Sequence, residues 1–246
     1  MILIAGDSWG CGEISRGMSS VLHTGLEQYI VNENINSINV SQFGGSNSEA
    51  YNKIKTFLEI KDKINITEPI TKILIFQTEW FRDFHGFRHP YPFENYCNYI
   101  FKHEYFNKDK VISSWYYRLS RLAQEHSVNM YLIGGSSDTI FLDKFSIEYP
   151  GLHIACQSMT NLIVNGNHRI NDPVYGVSVD LFEEFSASDV SILESLIDDF
   201  NKAENRLNVW KDNPDYFWPD GSHPNRLGHK ILFDFLKSTG VIHEHC

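Results

Sequence analysis

A three-layer α/β/α protein with a central parallel sheet is the fold this sequence predicts, and three observations predict it. Short apolar runs alternate with longer segments, in the order strand, helix, strand, helix that covers a parallel sheet on both faces. Within the longer segments apolar residues recur at three- and four-residue intervals, the period of an amphipathic helix. The chain has 246 residues, 42% hydrophobic and 21% charged, enough for one sizeable core in a single domain spanning 1–246.

Taken in order, Met1 to Ala5 is the first strand, an apolar run closed by Gly6. A helix over Ser19 to Val31 leads to a strand over Ser37 to Ser41, and a helix over Ser48 to Ile60 leads to the strand Lys72 to Gln77. The stretch Trp80 to Asp109 then breaks the alternation. It is crowded with Phe81, Phe84, Phe87, Tyr91, Phe93 and further rings, and a loop of that length is expected to be an insertion with structure of its own. It suits a lid or substrate wall, and equally a small satellite core. A helix over Ile112 to Glu125, a strand over Asn129 to Gly134 and a strand over His153 to Gln157 follow. Asn161 to Tyr175, rich in Asn and flanked by Gly and Pro, reads as irregular. Helices over Ala187 to Ala203 and Asn225 to Lys237 complete the pattern, the last with Pro224 suited to its first turn.

Charge and cysteine usage narrow the function classes. A formal net charge of -10 argues against general affinity for nucleic acid or anionic membranes, which need a basic surface. No segment approaches the roughly 20 apolar residues of a membrane span, and Met1 runs directly into the first strand without a leader, so a cytoplasmic protein is expected. Cys11, Cys97, Cys156 and Cys246 are irregularly spaced with no C-x-x-C pair, as reduced thiols would be. Cys11 is the cysteine nearest the first strand's end and an incidental modification target there. His85 and His89 have a metal-binding spacing only on a helix, which Gly86 and Pro90 oppose, and the terminal His243-Glu244-His245-Cys246 reads as a polar tail, so no metal is expected.

Ser8 sits at the end of the first apolar run, within Gly6-Asp7-Ser8-Trp9-Gly10, and Asp220-Gly221-Ser222-His223 stands just before the last helix. Nucleophilic hydrolysis needs a hydroxyl at an exposed strand-to-helix turn, a base for its proton and a carboxylate to fix the base's tautomer. The five residues around Ser8 also satisfy the G-x-S-x-G elbow of α/β-hydrolases. There, however, the serine follows several strands, whereas Ser8 follows the first, and Asp220 is only three residues ahead of His223.

The chain therefore resembles the SGNH, or GDSL, hydrolases, through Gly6-Asp7-Ser8, Gly44-Gly45-Ser46-Asn47 and Asp220-x-x-His223. The resemblance implies a flavodoxin-like SGNH hydrolase fold and a carboxylic-ester hydrolase without cofactor. Ser8 is the implied nucleophile, His223 the base and Asp220 its orienting acid, with Ser8, Gly44 and Asn47 holding the oxyanion. Gly45 is the alternative to Gly44 if the register slips by one. Trp9, Gly45, Thr78, Glu79 and Arg82 are expected along the substrate. The third family block departs from its pattern, since Glu79 stands where the family has asparagine, and a carboxylate cannot donate to an oxyanion. Asn47, Gln77 and Thr78 are the candidate replacement donors. Arg82 and Arg88 suit either a substrate anion or pairing with Glu79 and Asp83. The partner implied is a small-molecule or glycan ester, a carbohydrate ester being preferred because aromatic rings in the insertion could stack on sugars. Two rivals remain: a binding module that has kept the fold without the chemistry, and an acyltransferase using Ser8. A nucleotide-binding protein is disfavoured, the first turn lacking a P-loop lysine and a full G-x-G-x-x-G.

Overall fold

The structure is a computed structural model and describes residues 1–17, 19–78, 108–135, 138–139, 145–169 and 208–242. Strand β1 (Ile2–Ala5) runs into the short helix α1 (Ser8–Cys11) and then β2 (Glu13–Ile14), β3 (Val21–His23) and helix α2 (Leu26–Asn32). There follow β4 (Ser37–Asn39), α3 (Asn47–Ile60), β5 (Lys72–Gln77), α4 (Lys108–Glu125) and β6 (Asn129–Gly134). The described elements end with α5 (Phe145–Glu148), β7 (Leu152–Cys156), α6 (Met159–Asn165), α7 (Pro214–Phe217) and α8 (Arg226–Ser238).

Five strands form one sheet in the order β4-β1-β5-β6-β7, every pairing parallel. Successive strand side chains point to opposite faces, and both faces are covered. Leu3, Ala5, Ile73, Ile75, Met130 and Leu132 pack with Ile54, Phe57, Trp115 and Leu119 from α3 and α4. Ile2, Ile4, Leu74, Phe76 and Ile133 pack on the other side with Ile30, Leu162, Leu232 and Phe233 from α2, α6 and α8. The architecture is thus the expected parallel sheet between two helical layers. Because the chain leaves β1 towards β4 on one side and returns to β5 on the other, a crevice opens at the carboxyl ends of β1 and β5, where such sheets place their ligands.

Two local expectations are corrected. The segment from Ser19 does not start a helix: Val21 to His23 pairs antiparallel with Glu13 and Ile14, and α2 begins only at Leu26. The cause is close approach at Gly25, which has φ +58 and where a Cβ would stand 2.7 Å from Gly12 Cα and 2.8 Å from the His229 ring. Nor is the Asn-rich stretch irregular throughout. Met159–Asn165 is helical, with Ser158 accepting the Asn161 N–H at its start and Gly166 in the left-handed region at its end. Helix α4 starts at Lys108, ahead of the expected Ile112. The helix expected over Ala187 to Ala203, and the insertion up to residue 107, lie outside the described residues. No helix among the described residues is long and apolar enough to cross a membrane.

Candidate active site

The turn after β1 is shaped by a glycine that no other residue could replace without rearrangement. Gly6 has φ +145, and a Cβ there would lie 2.7 Å from both Cβ and the carbonyl oxygen of Phe76 on the neighbouring strand. Asp7 follows in extended conformation and caps α1, its Oδ1 accepting the Trp9 N–H at 3.0 Å while its carbonyl accepts the Gly10 N–H at 3.1 Å. Ser8 is the first residue of that helix and turns its hydroxyl towards the crevice side, where it meets His223.

His223 Nε2 lies 2.8 Å from Ser8 Oγ, and its Nδ1 lies 2.6 Å from Asp220 Oδ2. Residues 215 positions apart are thereby joined in one hydrogen-bonded chain, Ser8–His223–Asp220. The histidine's loop is held from several directions. Asp220 Oδ1 accepts the backbone N–H groups of Ser222 and His223, each at 2.9 Å. Gly221, at φ +75, donates its N–H to Phe217. Asn225 caps α8 through Leu227 and Gly228, and its own N–H donates to the Tyr216 carbonyl at 2.7 Å.

Burial alone would raise the Asp220 carboxyl, yet the hydrogen bonds and charge of His223 and the two backbone donors outweigh it and hold the group below its ordinary range. An ionised Asp220 accepting at Nδ1 fixes the tautomer in which Nε2 carries the lone pair facing Ser8. Sequence reasoning did not find Ser222, whose Oγ also lies 3.0 Å from His223 Nδ1. Adjacency to the histidine was the available signal, and it distinguishes nothing.

The remaining expected residues divide. Gly44 is exposed, has φ +63, and has no atom within 4 Å of where a Cβ would stand, so its backbone is open to an approaching group. Gly45 is buried, and its N–H donates to the Gln42 carbonyl at 3.0 Å, which closes the one-residue alternative. Asn47, expected as an oxyanion donor, acts as a latch between α3 and β5. Its amide pairs both ways with the Thr78 peptide, Nδ2 donating to the carbonyl and Oδ1 accepting the N–H, each at 3.0 Å. Ser46 caps α3 in a reciprocal capping box with Glu49, which puts Asn47 in the first turn facing β5. Thr78, 1% exposed, is likewise buried at this junction instead of lining a substrate.

Gln77 is committed as well, donating to the Asp138 carbonyl at 3.0 Å and accepting from Tyr116 at 2.7 Å. Trp9 is corrected from substrate contact to core. One residue further round the helix from Ser8 it faces inward, 1% exposed, with its ring 5.1 Å from that of Trp210 and 6.2 Å from that of Phe217. The Cys11 thiol is pushed up to about 12 by burial and by the Asp7 charge, so it has little thiolate and is a poor modification target. Glu79, Arg82 and Arg88 lie outside the described residues. Among the described residues no group of three or more His, Cys, Asp or Glu side chains is placed to hold a metal ion.

No family model matches the chain, and no curated protein matches it in sequence. Solved structures do match over nearly its full length. The psychrotrophic esterase EstA from Pseudoalteromonas sp. is 14% identical at a TM-score of 0.42, covering 98% of this chain and 96% of its own. The lipase/acylhydrolase from Enterococcus faecalis is 13% identical at a TM-score of 0.40, covering 100% and 98%. A protein from Slackia heliotrinireducens, proposed to be an SGNH hydrolase, is 12% identical at a TM-score of 0.40, covering 97% of each chain.

Proposed function

We propose that this protein is a serine hydrolase of carboxylic esters, and the observation that carries the reading is the continuous hydrogen-bonded chain from Ser8 Oγ through His223 to Asp220, at 2.8 and 2.6 Å. A hydroxyl that can pass its proton to an oriented, neutral imidazole as it attacks is an activated nucleophile. Ser8 attacks the ester carbonyl carbon while His223 Nε2 takes the hydroxyl proton. Asp220 stabilises the resulting imidazolium without itself taking the proton. The oxyanion sits between the N–H groups of Ser8 and Gly44, the latter an exposed residue. Collapse expels the alcohol, protonated by His223, and leaves an acyl group on Ser8. Water, deprotonated by the same imidazole, then releases the acid and restores the serine.

The preferred substrate class is a carbohydrate O-acyl ester. Trp218, 55% exposed and two residues ahead of Asp220, offers an aromatic surface in the catalytic loop itself, of the kind that stacks on a sugar ring. The direct test is hydrolysis of p-nitrophenyl acetate and longer acyl esters by the protein, by Ser8→Ala and by His223→Ala, with fluorophosphonate labelling read by mass spectrometry. Turnover and labelling that both disappear in Ser8→Ala are the expected result. Equal rates in all three proteins with Ser8 unlabelled would overturn the reading in favour of a binding module. Ester product formed only when an alcohol acceptor is supplied would move it to acyl transfer.

A further inference from the structure

We propose that Glu13 and Arg226 are positioning residues that set the separation of Ser8 from His223, an inference that rests on the hydrolase reading above. Glu13 stands five residues after Ser8, and Arg226 three residues after His223. Glu13 Oε2 accepts both the backbone N–H and the Nε–H of Arg226, each at 2.8 Å, and Oε1 accepts from Nη2 at 3.0 Å. This three-point, charge-assisted tie joins the two segments that carry the reacting groups, across 213 positions of sequence.

Neither segment has slack to absorb a change at the tie. Between Ser8 and Glu13 lies Gly12, at φ +106, whose Cβ would stand 2.2 Å from the His23 carbonyl oxygen and 2.7 Å from the Gly25 nitrogen. The backbone of this stretch therefore lies flush against the 23–25 turn. On the other side His223 and Arg226 are separated only by Pro224 and the capping residue Asn225, and the Arg226 carbonyl is held by the Tyr29 hydroxyl at 2.9 Å. A shift at Glu13 or Arg226 is thus transmitted to the Ser8–His223 bond.

The two partners are unequally exposed, Glu13 at 7% and Arg226 at 55% of the side chain. The arginine hydrogen bonds lower the Glu13 carboxyl despite its burial, which keeps the tie charged throughout neutral and mildly acidic pH. Removing Glu13 leaves an arginine that water can solvate, whereas removing the arginine side chain leaves a covered carboxylate with the backbone N–H of residue 226. Glu13→Gln is accordingly the cleaner probe, and it carries the test if Arg226→Met fails to fold.

The experiment compares wild type, Glu13→Gln, Arg226→Met and the double variant by steady-state ester hydrolysis, fluorophosphonate labelling rate and active-site titre, together with a crystal structure of Glu13→Gln. Misplacement of about 1 Å costs roughly 10²-fold in rate. The expected result is therefore a 10- to 100-fold fall in kcat with KM within about threefold and the full titre of reactive sites. The double variant is expected to be no worse than the worse single, because the pair acts as one unit. In the crystal the Ser8 Oγ to His223 Nε2 separation lengthens beyond about 3.5 Å while the His223–Asp220 bond persists. An unchanged separation overturns the proposal, as does a kcat loss that only tracks a lost titre. A wild type that neither hydrolyses esters nor labels at Ser8 sinks the hydrolase reading instead, and the crystallographic separation still decides the positioning role.

Discussion

Asp220→Asn tests the chain of inference at its most specific point, because it changes one atom and reverses one hydrogen bond. In the native loop Oδ1 accepts two backbone N–H groups and Oδ2 accepts from His223 Nδ1. An asparagine keeps its carbonyl on the two backbone donors, which turns its NH2 towards Nδ1. The imidazole must then accept at Nδ1 and carry its proton on Nε2, facing the Ser8 hydroxyl as a donor instead of a base. The expected loss in kcat is about 10⁴-fold near neutral pH, equivalent to about 5.5 kcal/mol of transition-state stabilisation.

The stability cost is far smaller. Two of the three bonds are kept and the third is replaced by a neutral one, so the loss stays below a charge-assisted bond's worth of about 1.5–3 kcal/mol. For a chain of this length that lowers Tm by roughly 2–4 °C per kcal/mol. Circular dichroism at 25 °C therefore reports a folded variant while initial rates on p-nitrophenyl acetate fall towards those of Ser8→Ala. Since the native carboxyl is held below its ordinary range, its contribution is present above about pH 4 and fades as pH falls through the lower folded value, so the stability gap between wild type and variant closes in acid. Activity within tenfold of wild type, in a background where Ser8→Ala is dead, would refute the tautomer argument.

Asn47→Ala should fail through stability and not through chemistry. It removes both hydrogen bonds between the Asn47 amide and the Thr78 peptide, at about 0.5–1.5 kcal/mol each, so urea unfolding should show a loss of about 1–3 kcal/mol. The kcat of the folded fraction should stay well above the 10²- to 10³-fold deficit of a lost oxyanion donor. His229 is fully buried on α8, and burial pushes its pKa down to about 3. A base depressed by folding stabilises the native state fully above its unfolded value near 6.5 and loses that contribution as pH falls towards 3. His229→Leu should therefore flatten the fall in stability between pH 6.5 and 4.5 by up to about 1.4 kcal/mol per unit. Parallel stability curves for the two proteins would contradict it.

The central strands β1 and β5 were legible because each is a short apolar run buried on both faces. Lys72–Gln77 and Asn129–Gly134 match the expected spans, and the other three differ by a few residues at their ends. What was not legible depended on tertiary contact. Val21 to His23 carries helix-compatible spacing, and its extended course follows from how closely Gly25 approaches Gly12 and His229, which no local pattern encodes. The meeting of Ser8, Asp220 and His223 was legible because each stands beside turn residues. Asn47 and Trp9 could not be placed, since whether an amide or an indole faces a crevice or a core is decided by the neighbouring strand and by the helix turn it occupies.

The hydrogen bond between Ser8 and His223 joins the two ends of the described chain, and this sets when it can form. The hydroxyl belongs to the first β-strand's turn, and the imidazole arrives with the loop preceding α8, so during synthesis the serine spends most of elongation without its imidazole partner. A contact of such sequence separation forms late in folding, after the loop entropy between its ends has been overcome. Fluorophosphonate reactivity at Ser8 would then report the docking of the last described helix, and a chain arrested or clipped upstream of residue 220 would present the hydroxyl in an ordinary, unreactive state.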